Sequence, residues 1–335
     1  MANKSSNQRI IKLLRRRETL LVAIILFLVV AVSLRAPNFI GFENFSDILN
    51  DTGILVIVSI AQLGILLLGG IDMSVGSNMA LTSIVIASLN VSRPDLPMAS
   101  LIAISLALGA FLGAFNGFLV AYLKIPSVIA TLGTISIYRG MTFLYSNGYW
   151  VNSYQMSEAF KMIPRELFLG VSAMLWYAIA VAVLFHLFYN RIKTGREFYA
   201  VGGNLEAAGF AGVNVPRIQF LAFTLSGALA GLAGTLYVSR YAIAQSGTAS
   251  GFEFQTVAAC VIGGVSFSGG LGNVPGVVLG ALFLGILNNA LPVVKVSPFY
   301  QMSLQGGIIL LAVILNTLGD RNTRTKIIKR RDFHE

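Results

Sequence analysis

N-R-I-K-T-G-R-E-F-Y-A-V-G-G-N-L-E-A-A-G-F-A-G-V-N-V-P-R, residues 190–217, is a polar interruption between two long apolar stretches. It carries Arg191, Lys193, Arg196, Glu197, Glu206 and Arg217, while its flanks carry almost no charge. A segment this polar in an otherwise oily chain must sit in water or against another protein. Its second half carries the signals of a short helix. Asn204 can cap a helix starting at Leu205, Glu206 falls in the first turn where the helix dipole favours an anion, and Gly212 permits a left-handed exit. Pro216 blocks simple continuation. The expected helix has about two turns, too few to be stable alone. It offers Ala207, Ala208, Gly209 and Ala211 as a small-residue face, with Phe210 as a single large anchor. From spacing alone, an ordinary inter-helix loop with a capped turn fits equally well.

Composition sets the class. The chain has 335 residues, 56% hydrophobic and only 11% charged, where soluble domains are about a quarter charged. An all-α integral membrane protein follows. The single cysteine, Cys260, excludes a disulfide framework and a cysteine-rich metal site and reads as a small buried side chain. The two histidines, His186 and His334, are far apart, and neither has the company a catalyst or metal centre needs. No metal site is expected. The net charge of +10 is concentrated at the two ends and in 190–217, as the positive-inside rule expects of cytoplasmic segments. It reports orientation in a lipid bilayer and not nucleic-acid binding.

The apolar runs read as about ten membrane spans, at 20–34, 53–68, 75–90, 99–123, 127–146, 167–189, 218–239, a run through Q-T-V-A-A-C-V-I, 274–293 and 299–318. The first follows basic residues and is read as a span and not a removable leader. An even count puts the basic segments 1–18 and 319–335 on one side, with 190–217, and the chain reads as one transmembrane domain over 1–335. Segments 35–45, 147–166 and 240–253 are assigned to the opposite face. Span five carries Thr131, Thr134, Ser136 and Tyr138. The small-residue runs G-A-F-N-G (113–117) and S-G-A-L-A-G-L-A-G (226–234) mark close helix packing.

A second motif, G-G-I-D-M-S-V-G-S at 69–77, places Asp72 as the only acidic residue between Asp51 and Asp95. A carboxylate at membrane depth is paired or faces a cavity, and the paired Gly69 and Gly70 permit a broken helix there. Capping of the next helix by Asp72 is an equal alternative, and both can hold. A short internal repeat sets 113–126 against 285–298, pairing Asn116 with Asn288 and Lys124 with Lys295. On the span count the copies run in opposite directions, an inverted-topology repeat. The glycine-rich G-G-V-S-F-S-G-G-L-G-N near 263–273 lacks the Lys-Ser/Thr ending of a phosphate loop.

Glu206-Ala207-Ala208 followed by Gly212, E-A-A-x-x-x-G, resembles the cytoplasmic coupling loop of ABC importer permeases. The preceding T-G-R-E-F-Y-A-V-G-G-N and the G-G-I-D-M-S-V-G-S motif are similar to those of the sugar-type members (the ribose, autoinducer-2 and rhamnose-like group) of the branched-chain amino acid/ribose permease superfamily. Met73 stands where sugar members often have leucine, a conservative change. The resemblance covers nearly the whole chain and implies a type II ABC importer-like fold in a bacterial cytoplasmic (inner) membrane, with both termini cytoplasmic. It also implies a second permease copy (homodimer or heterodimer), a separate ATP-binding cassette subunit that binds and hydrolyses the ATP, and an extracytoplasmic solute-binding protein. This chain would bind no cofactor and catalyse nothing. Asn204, Glu206, Ala207, Ala208, Phe210 and Gly212 would couple to the ATPase, and Gly69, Gly70, Asp72, Ser74, Asn116, Gln255 and Asn288 are candidates for the solute path. Gln62 is a further polar candidate, and for each uncharged group an interhelical hydrogen bond is an equal reading. A branched-chain amino acid permease and an ion-coupled secondary transporter are the competing assignments. An intramembrane enzyme would need a nucleophile with its base, or a metal triad, which the sequence does not offer.

Overall fold

The computed structural model describes residues 17–297 and, beyond them, the helical positions 300, 303, 306, 307, 310 and 314. Most of the expected tenth span and nearly all of both basic ends lie outside the described residues. Twelve helices can be followed: α1 (Arg17–Arg35), α2 (Phe42–Leu67), α3 (Val75–Ser92), α4 (Met98–Ala121), α5 (Ser127–Ser146), α6 (Glu158–Met162), α7 (Ala173–Arg191), α8 (Lys193–Gly203), α9 (Leu205–Phe210), α10 (Val215–Tyr241), α11 (Phe252–Ile262) and α12 (Val274–Val293).

At the centre stands α2. From Gly53 onward its sequence is apolar all round, so no face there prefers water, and such a helix is stable only when surrounded. It packs on α10, α12, α7 and α11, and from Thr52 to Leu67 every residue is buried. By contrast α1 is as apolar but exposes Leu20, Leu26, Phe27 and Leu34, which suits a lipid-facing position. The closest pair is α4 with α10. Here a Cβ on Gly109 would run into the carbonyl oxygen of Gly227, and one on Gly227 into that of Gly109. Backbones this close gain dispersion where lipid offers no hydrophobic drive, as the small-residue runs predicted.

Among the described residues, seven helices are long and apolar enough to cross a membrane: α1, α2, α3, α4, α7, α10 and α12. The fifth expected span is present as α5, 20 residues long, but outside the seven, because Arg139 joins the hydroxyl-bearing residues in lowering its hydropathy. The eighth needs correction. Its helix, α11, has 11 residues and reaches only about 16 Å, half a bilayer core. Residues 245–251 fold inward ahead of it, with Thr248 and Ala249 each 3% exposed, so this crossing combines a re-entrant loop with a half-helix.

Two-stranded ladders pair β1 (Val151–Asn152) with β4 (Ile243–Ala244) and β2 (Leu167–Phe168) with β3 (Val171–Ser172). The first ladder puts the 147–166 and 240–244 segments on one face. Across the bundle, about 40 Å away along the 27 residues of α10, lies the face that carries α9. The two copies of the internal repeat share one local feature: Lys124 and Lys295 both close their helices with left-handed backbone, φ 57° and 62°.

Candidate functional site

The polar interruption is two helices and not one. Residues 193–203, for which no helix was expected, form the amphipathic α8, whose inner face of Gly195, Phe198 and Val201 is buried. Phe198 stacks edge-on against Phe188 and Tyr189 of α7, with ring centroids 5.8 and 5.6 Å apart. The aromatic in the second helical turn thus decides that this half docks on the bundle. The second half follows the sequence closely. Asn204 caps α9 by accepting a hydrogen bond from the Ala207 amide at 2.9 Å, and Gly212 leaves it at φ +82°. Glu206, Ala207 and Gly209 are exposed. Phe210 is 93% exposed. Ala208 corrects the expected contact face: it is 5% exposed and belongs to the core, so it seats the helix while Phe210 projects from it.

The end of α8 meets both broken segments of the bundle. A Cβ on Gly202 would collide with the Leu67 carbonyl oxygen, and that oxygen accepts the Gly270 amide at 2.9 Å. Tyr199 donates its hydroxyl to the Gly272 carbonyl at 3.0 Å; burial holds this phenol above its ordinary pKa, so it stays a donor at neutral pH. Gly69, at φ +74°, packs on the Ser268 carbonyl. A cavity of about 530 Å³ opens beside this junction, lined by Gly69, Gly70, Lys124, Ser127, Leu205 and Gln219 among others.

From Gly70 the chain continues into the bundle as irregular backbone. Its amides are satisfied by α5, Ile71 donating to Ser127 Oγ and Met73 to Thr131 Oγ1, each at 3.1 Å. Irregular backbone at this depth therefore leaves few donors open. Asp72 is 2% exposed. Its Oδ1 accepts from the Ser74 amide at 2.8 Å and the Ser74 hydroxyl at 2.6 Å, and its Oδ2 from Ser226 Oγ at 3.4 Å. Asn116 donates to Ser74 Oγ at 2.7 Å. Tyr138 donates to the Leu112 carbonyl at 2.7 Å. Gln62, with its amide turned to satisfy both groups, clamps the backbone N–H and C=O of Asp72 at 3.2 Å each. Asp72 therefore both organises the start of α3 and sits in a polar cluster.

This arrangement unites Gly69, Gly70, Asp72, Ser74 and Asn116 but sets Gln255 and Asn288 apart. Those two meet each other across α11 and α12 at 3.4 Å, the interhelical bond of the plainer reading. Ser226 and Arg139 were not singled out as site residues from sequence, and the helical form of α8 was not expected. Ser226 was hidden in a small-residue run, whereas Arg139, a lone cation within an apolar stretch, was a usable signal. Glu253, the last residue of the segment 240–253, packs its carboxylate against Gly76 at the start of α3.

A match to the family described as branched-chain amino acid transport system / permease component covers residues 44–313. The chain belongs to that family. Among its relatives, this permease is 36% identical to the ribose import permease protein of Haemophilus influenzae over 96% of this chain and 99% of the relative. It is 37% identical to the ribose import permease protein of Escherichia coli strain K12 over 87% and 91%, and 34% identical to the autoinducer 2 import system permease protein of Salmonella typhi over 90% and 85%. No solved structure matches it at a significant level. It is a multi-pass permease of the inner membrane and not an enzyme.

Proposed function

We propose that this permease serves an ATP-driven importer of a sugar or sugar-like solute, and that α9 is the element gripped by a separate ATP-binding cassette subunit. The observation that carries the coupling role is Phe210, held almost fully exposed on a capped helix whose opposite side is seated by Ala208. An isolated large aromatic costs solubility unless a partner covers it, and aromatics in such positions dominate interface energies. Glu206, Ala207 and Gly212 complete the docking element, with Asn204 as its cap. On this reading the α9 face and both basic termini are cytoplasmic. A solute-binding protein meets the β1–β4 face, and a second permease copy completes the path. The names of the relatives favour a sugar over a branched-chain amino acid.

The mechanism follows from the connections. ATP draws the partner subunits together and displaces α9. Its seat on α8 passes the shift to Gly202 and Tyr199, which touch Leu67, Gly270 and Gly272. From there Gly69 leads within a few residues to Asp72, so the polar cluster is rearranged without a long relay. The solute-binding protein supplies affinity, and the permease needs only weak polar contacts that release the solute.

The test is Phe210→Ala and Phe210→Asp, with uptake of radiolabelled pentoses and hexoses and co-purification of the ATPase as readouts. Phe210 contributes little to the chain's own core, so insertion and thermal stability should hold. Loss of a hot-spot aromatic costs about 2 kcal/mol or more, roughly a 30-fold loss of affinity. Normal uptake with normal co-purification would remove the coupling assignment.

A further inference from the structure

Arg139 lies within α5, half-buried, in a region where a cation needs a reason to be. It has one. Its Nη1 donates to the carbonyl oxygens of Ser246 and Thr248, the latter at 2.8 Å. Both belong to the re-entrant loop 245–251, which descends from β4 and ends at α11. The loop is internally cross-tied, Thr248 donating its amide to the Gln245 carbonyl and accepting the Gln245 amide on its hydroxyl, both at 3.0 Å. Its far side rests on the first turn of α3: a Cβ added to Gly76 would lie 2.5 Å from the Ala249 carbonyl oxygen and 2.5 Å from Glu253 Oε2. That Oε2 is buried without a hydrogen-bond partner among the described residues.

These contacts give the bundle two unequal ends. Toward the α9 face, the Gly69–Gly70 segment borders an open cavity. Toward the β1–β4 face, loop 245–251 covers Gly76, two residues beyond Ser74 of the Asp72 cluster, with Thr248 and Ala249 buried.

We propose that Arg139 is the latch of this loop: the guanidinium holds residues 245–251 against α3, closing the route from the β1–β4 face to the Asp72 cluster, and transport requires that latch to release. The role rests on the permease reading above. It explains why a guanidinium stands here: the planar group holds the two N–H bonds of Nη1 in fixed directions, one toward each carbonyl, whereas a lysine ammonium rotates freely on its stem. It also makes Arg139 a positioning residue, acting through the loop and not on the solute.

The test uses a reporter in the loop. The native Cys260 is buried, so Thr248→Cys in the full chain offers a thiol that a membrane-impermeant maleimide, added from the β1–β4 side of intact cells, reaches only when the loop lifts. Adding Arg139→Gln should speed labelling by about 10- to 100-fold, the weight of one or two charge-assisted hydrogen bonds. Arg139→Lys, which keeps the charge without the fork, should fall between. Thermal unfolding of each variant is measured alongside. Faster labelling at unchanged melting temperature supports the latch. Unchanged labelling overturns it, as does faster labelling with an equal fall in melting temperature in both variants, which would make Arg139 fold support only. A separate arm compares labelling with and without Phe210→Asp in the otherwise unaltered reporter. That arm reports coupling to the ATPase, so coupling and latch fail independently.

Discussion

Asn116 donates to Ser74 across 42 residues of chain, Nδ2 to Oγ at 2.7 Å, and the same hydroxyl donates to Asp72 Oδ1 at 2.6 Å. One serine thus joins α4 to the broken segment that carries the carboxylate. Asn116→Ala leaves the Ser74 oxygen without its donor in a buried site and should cost about 1–3 kcal/mol. Asn116→Asp should be worse, because a second carboxylate would be buried beside the first without a cation to pair it. Thermal unfolding in detergent orders the two variants; an aspartate tolerated as well as alanine would contradict the geometry.

Adjacent glycines in α8 should behave oppositely. Gly202→Ala drives a methyl into the Leu67 carbonyl and the Gly270 amide, whereas a Cβ on Gly203 meets nothing within 4 Å. Gly202→Ala should cost about 1–3 kcal/mol, as overpacking does, and should uncouple ATP hydrolysis from uptake because it displaces the junction. Gly203→Ala should stay within about 0.5 kcal/mol. Parallel measurements of stability and of solute carried per ATP separate the two.

Gly212 carries backbone that a branched side chain adopts only with strain, φ +82°, and its added Cβ would touch nothing. Gly212→Val should therefore act through backbone alone, at about 1–2 kcal/mol. With α9 only six residues long, that is enough to loosen it. Insertion should be normal and uptake reduced. Glu206→Lys should reduce uptake as well, by placing a cation at the helix N-terminus and on the docking face.

Much of this was legible in advance because it is local. Asn204, Glu206 and Gly212 carry capping chemistry whose geometry is set within a few residues, and α9 appears where they put it. The glycines of α4 and α10 announced close packing for a similar reason: absence of a side chain leaves few alternatives in lipid. What escaped depended on packing between separate elements. Phe198 turns a polar stretch into a docked helix only because Phe188 and Tyr189 wait on α7. Arg139 becomes intelligible only when loop 245–251 arrives, 107 residues later at its nearest contact. The length of α11 was misjudged because hydropathy counts apolar residues and does not record that a loop, covered by protein, can complete a crossing.

Tyr199 offers the mildest way to test whether α8 drives the loop that follows α11. Tyr199→Phe removes only the hydroxyl that bonds the Gly272 carbonyl at 3.0 Å and keeps the ring packed. The net loss should be about 0.5–1.5 kcal/mol, too little to unfold the bundle. Because burial raises this phenol above its ordinary value of 10.0, the folded chain favours the neutral form. Its contribution is complete below pH 10 and is lost only as pH rises through the higher folded value. The difference between wild type and Tyr199→Phe should therefore be flat from pH 6 to 9. If the bond transmits force, the variant should hydrolyse ATP at an undiminished rate while moving less solute per ATP. Equal losses in both would mean the hydroxyl only steadies the fold. The distinction is decisive because Gly272 follows α11 and precedes α12, so force reaching it through Tyr199 has already passed from the docking face into the membrane bundle.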